Sequence, residues 1–221
     1  MPQAGRFVVL EGLDGAGTTT QVARLAERLR GQGRDVHTTR EPSDGPVGKL
    51  LRRALAGELA LPGGAPPAPA TMALLFAADR TDHLAREVEP ALAAGKTVLS
   101  DRYLLSSLAY QGEARSALPS EGRSPLSAGD QLAWVQELNA RARHPDLTIL
   151  LDVDPEVAAR RRHADARPEE LYDHIETQRR VAAAYRALAD RPSVAGPVER
   201  VDGALPLDDV TTQALALIEA L

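Results

Sequence analysis

The sequence predicts an α/β fold built on a doubly wound, parallel sheet. Three observations predict it. Five short apolar or β-branched runs recur along the chain, helix-length segments separate them, and one run, Leu147–Val153 (LTILLDV), is apolar on successive positions. Strands that alternate with helices imply parallel βαβ units. A strand without in–out alternation suits a sheet covered on both faces. The 221 residues suffice for one domain with a substantial core, and residues 1–221 are taken as that single domain.

The five expected strands are Phe7–Glu11, Val36–Thr39, Thr97–Ser100, Leu147–Val153 and Val198–Val201. Between the first two, Thr19–Arg30 repeats apolar residues at Val22, Leu25, Ala26 and Leu29, the spacing of one helix face. Gly31 and Gly33 are expected to end that helix. Two segments read as irregular: Gly57–Ala70, rich in Pro and Gly, and Gly112–Gly129, which carries Pro119 and Pro125. Loops of that length are uncommon unless functional.

Composition narrows the function. The formal net charge is −5, so no overall basic field collects nucleic acid. The absence of cysteine removes disulfides and Cys-ligated metals. Met1–Arg6 carries no apolar signal core, and no run is long and apolar enough to span a bilayer; the expectation is a cytoplasmic protein without a membrane partner.

The first strand runs into Gly12-Leu13-Asp14-Gly15-Ala16-Gly17-Thr18-Thr19-Thr20. This is the phosphate-loop frame G-x-x-x-x-G-K-[ST], with Thr18 where the lysine belongs. The frame follows an expected strand and opens an expected helix, as the motif requires. Its glycines allow a tight turn that aims backbone N–H groups at phosphate oxygens, and the helix N-terminus adds partial positive charge. Thr19 holds the hydroxyl position that ordinarily ligates Mg²⁺. Only the charged clamp is missing.

The opening FVVLEGLDGAGTTTQ resembles bacterial thymidylate kinases. Further segments match in order: Thr39-Arg40-Glu41-Pro42, Leu75-Phe76-Ala77-Ala78-Asp79-Arg80, Ser100-Asp101-Arg102-Tyr103 with Ser106–Gly112, and Pro145–Leu147 through Asp152–Val157. The resemblance spans nearly the whole chain. It implies a P-loop kinase fold with a five-stranded parallel sheet in the order 2-3-1-4-5. It also implies phosphoryl transfer from ATP to dTMP with Mg²⁺, and a homodimer.

The resemblance carries roles onto particular residues. Gly12–Thr20 would bind ATP. Arg40, at the carboxyl end of the second strand where open α/β sheets bind ligands, would hold the acceptor phosphate. Phe76 would stack on thymine. Arg80, four residues on and so on the same helix face, would meet the base's O4 edge. Arg102 would clamp the transferred phosphoryl group, whose oxygens suit a bidentate guanidinium. Asp14 and Tyr110 would lie near the sugar and Ser107 near the base, with Gln111 also counted to the dTMP site; Ser107 departs from the Thr or Asn of the pattern. Asp101 is assigned with Thr19 to Mg²⁺ or to positioning. It need not be a base, because the acceptor phosphate, with a second pKa near ~6, is largely ionised already.

Residues of about 155–172 resemble the family's lid and carry Arg160, Arg161, Arg162 and Arg167. Three consecutive arginines on a helix fan over roughly 200° at ~3.6 residues per turn, so at least one faces the cleft. Leu13–Thr20 contains no Arg, which aligns the chain with lid-arginine members and makes these four candidate catalytic groups. Two alternatives stay open, the first of them because of Thr18. One is a nucleotide-binding homologue that has lost catalysis and acts on partners; the other is a kinase for a different pyrimidine monophosphate.

Overall fold

The computed structural model describes residues 5–112, 128–164 and 171–221. The five strands are β1 (Phe7–Gly12), β2 (Val36–Arg40), β3 (Thr97–Asp101), β4 (Leu147–Asp152) and β5 (Val198–Asp202). All neighbours pair in parallel, in the order β2-β3-β1-β4-β5. The expected class and strand order are therefore observed, with strand ends differing by a residue or so. β1 and β3 are buried along their whole length, whereas the edge strands β2 and β5 alternate with exposed positions. The central strands are covered by helices on both faces, and that is why they read as continuous apolar runs.

The helices are α1 (Thr18–Gly31), α2 (Pro46–Leu55), α3 (Pro69–His83), α4 (Glu89–Ala93), α5 (Leu104–Ser107), α6 (Ala128–Leu138), α7 (Pro155–Ala164), α8 (Ile175–Ala189), α9 (Pro192–Ala195) and α10 (Leu207–Glu219). α1 buries Val22, Leu25, Ala26 and Leu29, the predicted stripe. It continues through Gly31 to a cap at Gln32, and Gly33, at φ +82°, turns the chain away. Wider π-helical turns follow α3 (Leu84–Val88) and α5 (Leu108–Gly112). The Gly57–Ala70 segment is irregular up to Pro69, where α3 begins. Most of the second expected loop, 113–127, lies outside the described residues, and Ala128–Gly129 already belong to α6.

Register lines up the carboxyl ends. Leu10 and Arg40 both pair with Asp101, Gly12 pairs with Leu151, and Asp152 with Asp202. Gly12, Arg40, Asp101 and Asp152 thus share one end of the sheet, the end at which open α/β sheets hold ligands. The main core fills both faces of the sheet; a separate small cluster of Leu51, Ala54 and Met72 packs under Phe76, Leu55 and Leu171. That second cluster steadies one wall of the cleft described next. Among the described residues no helix is long and apolar enough to cross a membrane.

Candidate active site

The phosphate loop is shaped by lack of space as much as by freedom. A Cβ on Gly15, at φ +88°, would stand 2.4 Å from the Ala158 carbonyl oxygen and 3.0 Å from Arg162 Cγ, so the loop is pressed against α7. Gly17 takes the left-handed cap of α1 at φ +96°, where no side chain caps the helix and no acidic residue enters its first turn. The leading N–H groups of α1 are thus available to an anion. Thr18 is buried beside Gly12 and brings no charge.

Arginine geometry separates the candidates for that charge. Arg162 is buried and donates from Nη1 to the Asp14 backbone carbonyl at 2.5 Å, with Asp173 paired to its Nε at 3.4 Å. Arg161 donates to the Gly203 carbonyl at 2.9 Å, and Arg160 is exposed. Of these three, Arg162 alone reaches the phosphate loop through a hydrogen bond. Arg167 lies outside the described residues.

Arg102 follows β3 in the left-handed region, φ +71°. Its backbone N–H donates to the Leu10 carbonyl at 2.8 Å, and the side chain donates to Asp14 Oδ1 at 2.9 Å, Ser106 Oγ at 3.2 Å and the Tyr185 hydroxyl at 3.3 Å. A non-glycine residue at positive φ costs energy that the surroundings must over-determine, and such strain gathers at active sites. Burial opposes the guanidinium charge, but Asp14, with Tyr110, Tyr185 and Asp101 behind it, outweighs burial and holds the pKa above the ordinary arginine value.

Glu11, to which the sequence reading gave no role, organises this corner. It is fully buried and accepts from the Tyr103 and Ser106 backbone N–H groups at 2.9 and 3.1 Å, from Ser106 Oγ at 2.6 Å and from the Tyr185 hydroxyl at 3.0 Å. One carboxyl on β1 thereby pins the segment that carries Arg102. Burial pushes its pKa up, although Arg102, Ser106 and Tyr185 pull the other way.

Asp101 and Thr19 meet: the threonine hydroxyl donates to Asp101 Oδ2 at 2.5 Å, while Asp101 Oδ1 is buried with no partner among the described residues. A hydroxyl beside an incompletely satisfied carboxylate is an all-oxygen donor set that suits a hard cation such as Mg²⁺. No group of three or more His, Cys, Asp or Glu able to hold a metal occurs among the described residues. Mg²⁺ would therefore depend on phosphate oxygens and water for its other ligands, its usual habit.

A cleft opens beside the loop, and Asp14 forms part of its wall. It gathers Asp14, Phe76, Arg80, Arg102, Tyr110 and Gln111 from the sequence-derived set. Phe76 is half-buried, neither sealed in the core nor free. Tyr110, on the π-helical turn, donates to Asp14 Oδ2 at 3.3 Å, and burial raises its pKa. The Gln111 side-chain oxygen Oε1 is buried without a partner among the described residues. π-Helical turns are frequent at functional sites.

Arg80 is fully buried and forms an ion pair with Glu41 at 2.7 Å; its Nε has no partner among the described residues. Ser107 does not line the cleft. It accepts from Arg80 at 3.1 Å from behind, and Ser106 occupies the wall instead. Arg40 does not line it either. It is exposed and pairs with Asp44 at 2.9 Å, not with its neighbour Glu41. Glu41, Pro42, Leu55, Tyr103, Tyr172 and Asp173 complete the lining. Glu41, Pro42 and Tyr103 lay within the matched segments, and Tyr172 within the lid range, so the motifs had marked their neighbourhood if not their roles.

A family model described as thymidylate kinase matches residues 10–210. This chain belongs to the thymidylate kinase family. A probable thymidylate kinase of Thermococcus onnurineus (strain NA1) is 38% identical over 216 residues, covering 96% of this chain and 97% of the relative. The thymidylate kinase of Leifsonia xyli subsp. xyli is 42% identical over 217 residues, with 95% and 92% covered, and that of Bifidobacterium longum 44% over 181 residues, with 80% and 82%. The family name marks these relatives as phosphotransferases. Membership fits an uncapped helix N-terminus and an aromatic-walled cleft lying side by side.

Proposed function

We propose that the protein transfers the terminal phosphoryl group of ATP to dTMP, giving ADP and dTDP. The observation that carries this reading is the cleft beside the loop, where a half-buried aromatic, a buried guanidinium and the Asp14–Arg102 pair share one wall system. ATP phosphates would lie at the N-terminus of α1. An oxygen of the dTMP phosphate attacks the γ-phosphorus, the bond to ADP breaks, and Arg102 stabilises the charge on the moving group. Such transfer rests on positioning and electrostatics rather than on protein acid–base chemistry. Thr19 and Asp101 would hold Mg²⁺, which when bound neutralises phosphate charge.

Arg40 would reach the acceptor phosphate by exchanging Asp44 for it. Their pair is exposed and so contributes little, about 0–1 kcal/mol. The guanidinium of Arg80 is a pure donor; it suits the O4 carbonyl of thymine and not the amino group of cytosine. A homodimer in the cytoplasm completes the proposal.

The deciding assay couples ADP release to dTMP addition, with dUMP and dCMP as comparison acceptors. Release that depends on dTMP supports the reading. None at all would favour a non-catalytic nucleotide binder, the alternative that Thr18 motivates. Preference for another pyrimidine would redirect the acceptor.

Two further results are expected. Phe76→Ala should raise KM for dTMP about tenfold or more, since a stacked base contributes about 1–3 kcal/mol, and leave KM for ATP alone. An equal rise for both substrates would reduce Phe76 to a packing residue. Tyr110→Phe should alter the preference for dTMP over its ribose counterpart, because the hydroxyl that contacts Asp14 is lost at the proposed sugar site. An unchanged ratio in steady-state competition removes Tyr110 from that site.

A further inference from the structure

Arg80 is held from behind by a polar chain that phosphoryl transfer does not require. Its guanidinium donates to Glu41 Oε2 at 2.7 Å, Asn139 Oδ1 at 2.5 Å, the Tyr103 carbonyl at 2.9 Å and Ser107 Oγ at 3.1 Å. The other oxygen of Glu41 accepts from His83 Nδ1 at 3.2 Å. His83 Nε2 contacts Thr39 Oγ at 2.7 Å and lies 3.6 Å from Glu87 Oε2. Glu87 then meets His37 Nε2 at 2.8 Å, where both side chains are about one-third exposed. The chain runs by hydrogen bonds from the cleft wall to Thr39 on β2, and a looser ion-pair contact of 3.6 Å links it to Glu87 and His37 at the flank of that strand. Its inner members are sealed: 1% exposed for the Arg80 side chain, 4% for Glu41 and 0% for His83.

Ionisable groups in series are a poor way to fill space. Buried ion pairs are often no more stabilising than apolar side chains of the same volume, and they fix geometry better than they add stability. Here the geometry they fix is that of a cleft-lining guanidinium.

We infer that His83 is a positioning residue for the acceptor base: acting through Glu41, it sets where the Arg80 guanidinium stands and how much of its charge faces the cleft. When His83 is charged, Glu41 divides its carboxylate between two cations, and Arg80 presents more positive field to a base carbonyl. When His83 is neutral, Arg80 is the sole cation on Glu41 and is drawn back towards it. The groups facing the imidazole are Glu41 after β2, Thr39 on β2, Asp79 one turn before it and Glu87 one turn after, with Arg80 beyond Glu41 and His37 beyond Glu87. Burial disfavours the imidazolium, but Glu41, Glu87 and Asp79 prevail and hold its pKa above the ordinary 6.5. A pKa raised in the fold gives stability that is fully present below the unfolded value and lost as pH rises through the folded value. Preference for the base carbonyl should weaken over that same interval.

This inference rests on the reading that Arg80 faces the pyrimidine O4 edge, and the test separates the two. KM for dTMP, dCMP and ATP would be measured from about pH 6 to about pH 9, bracketing the histidine range, for the wild type, His83→Asn, His83→Phe and Arg80→Lys. The phosphate titration is common to both acceptors, so the ratio of their KM values isolates the base. The amide nitrogen of Asn can stand where Nδ1 does, keeping the donor to Glu41 without a charge. His83→Phe should raise KM for dTMP about tenfold, the scale of one hydrogen bond to a charged group, with KM for ATP unchanged. His83→Asn should recover most of that loss, and its dTMP-to-dCMP KM ratio should stay flat with pH where the wild-type ratio rises. A wild-type pH profile in His83→Asn, or a wild-type KM for dTMP in His83→Phe, overturns the inference; should His83→Phe fail to fold, the Asn profile decides alone. If Arg80→Lys leaves KM for dTMP unchanged, the base-edge reading falls and takes the inference with it. If Arg80→Lys raises it while the His83 variants behave as wild type, only the inference falls.

Discussion

Replacing Arg102 by alanine is expected to lower kcat by on the order of 10²–10³-fold, the usual loss when one preorganised donor to a transition state is removed. Arg102 is bound on one side by Asp14 and on another by Ser106 and Tyr185, so its guanidinium is held in place before substrate arrives. Alanine inherits the same positive φ and adds no backbone strain beyond what arginine already bears. The melting temperature should therefore fall much less than activity. Arg102→Lys keeps the charge but loses the fork that grips two oxygens at once, and should recover only part of the rate. Steady-state kinetics beside a thermal melt test this; near-normal kcat in the alanine variant would remove Arg102 from the reaction.

The second large effect concerns the charge that Thr18 does not supply. A threonine offers one neutral hydrogen bond, worth roughly 1 kcal/mol, where hydrogen bonds to charged groups contribute about 1.5–3 kcal/mol. Arg162 already touches the loop through the Asp14 carbonyl. Arg162→Ala is expected to lower kcat by ~10²-fold or more, and Arg160→Ala, at an exposed position, far less. Thr18→Lys should change the wild type little, because the charge is provided, but should restore part of the activity lost in Arg162→Ala. That rescue is the informative readout, since a merely destabilised α7 would not respond to a lysine in the loop. Full activity in alanine variants of Arg160, Arg161, Arg162 and Arg167 alike would mean that the charge comes from elsewhere.

The sheet was legible because its central strands are buried on both faces, so no alternation had to be decoded, and because the loop glycines mark where β1 gives way to α1. The environment of Arg80 was not. Helical spacing put it on the face of Phe76, but its partner Glu41 lies 39 residues earlier and Asn139 59 residues later, and no local pattern reports such a meeting. Arg40 and Glu41 show the same limit. As chain neighbours at a strand end they could pair, yet they turn apart, Arg40 to Asp44 in solvent and Glu41 to the buried Arg80 and His83. The Ser106–Ser107 pair was decided by four residues of α5 followed by a wider π turn, which assigns one serine to the cleft and the other to its backing. Spacing rules for a regular helix do not anticipate that change of pitch.

Nothing larger than hydrogen fits between Gly15 and the Ala158 carbonyl. The phosphate loop and α7 are therefore already at closest approach there, and the helix cannot bring its arginines nearer by moving inward at that point. If Arg162 serves the loop as proposed, its guanidinium would reach nucleotide by rotation about its own side-chain bonds. Rotations of that kind are ordinarily quicker than the collective closure of a whole segment. A lysine rooted in the loop would be a stationary charge, present whether or not nucleotide is bound. In the role proposed for Arg162, this chain would carry a hinged one, held meanwhile by the Asp14 carbonyl and by Asp173.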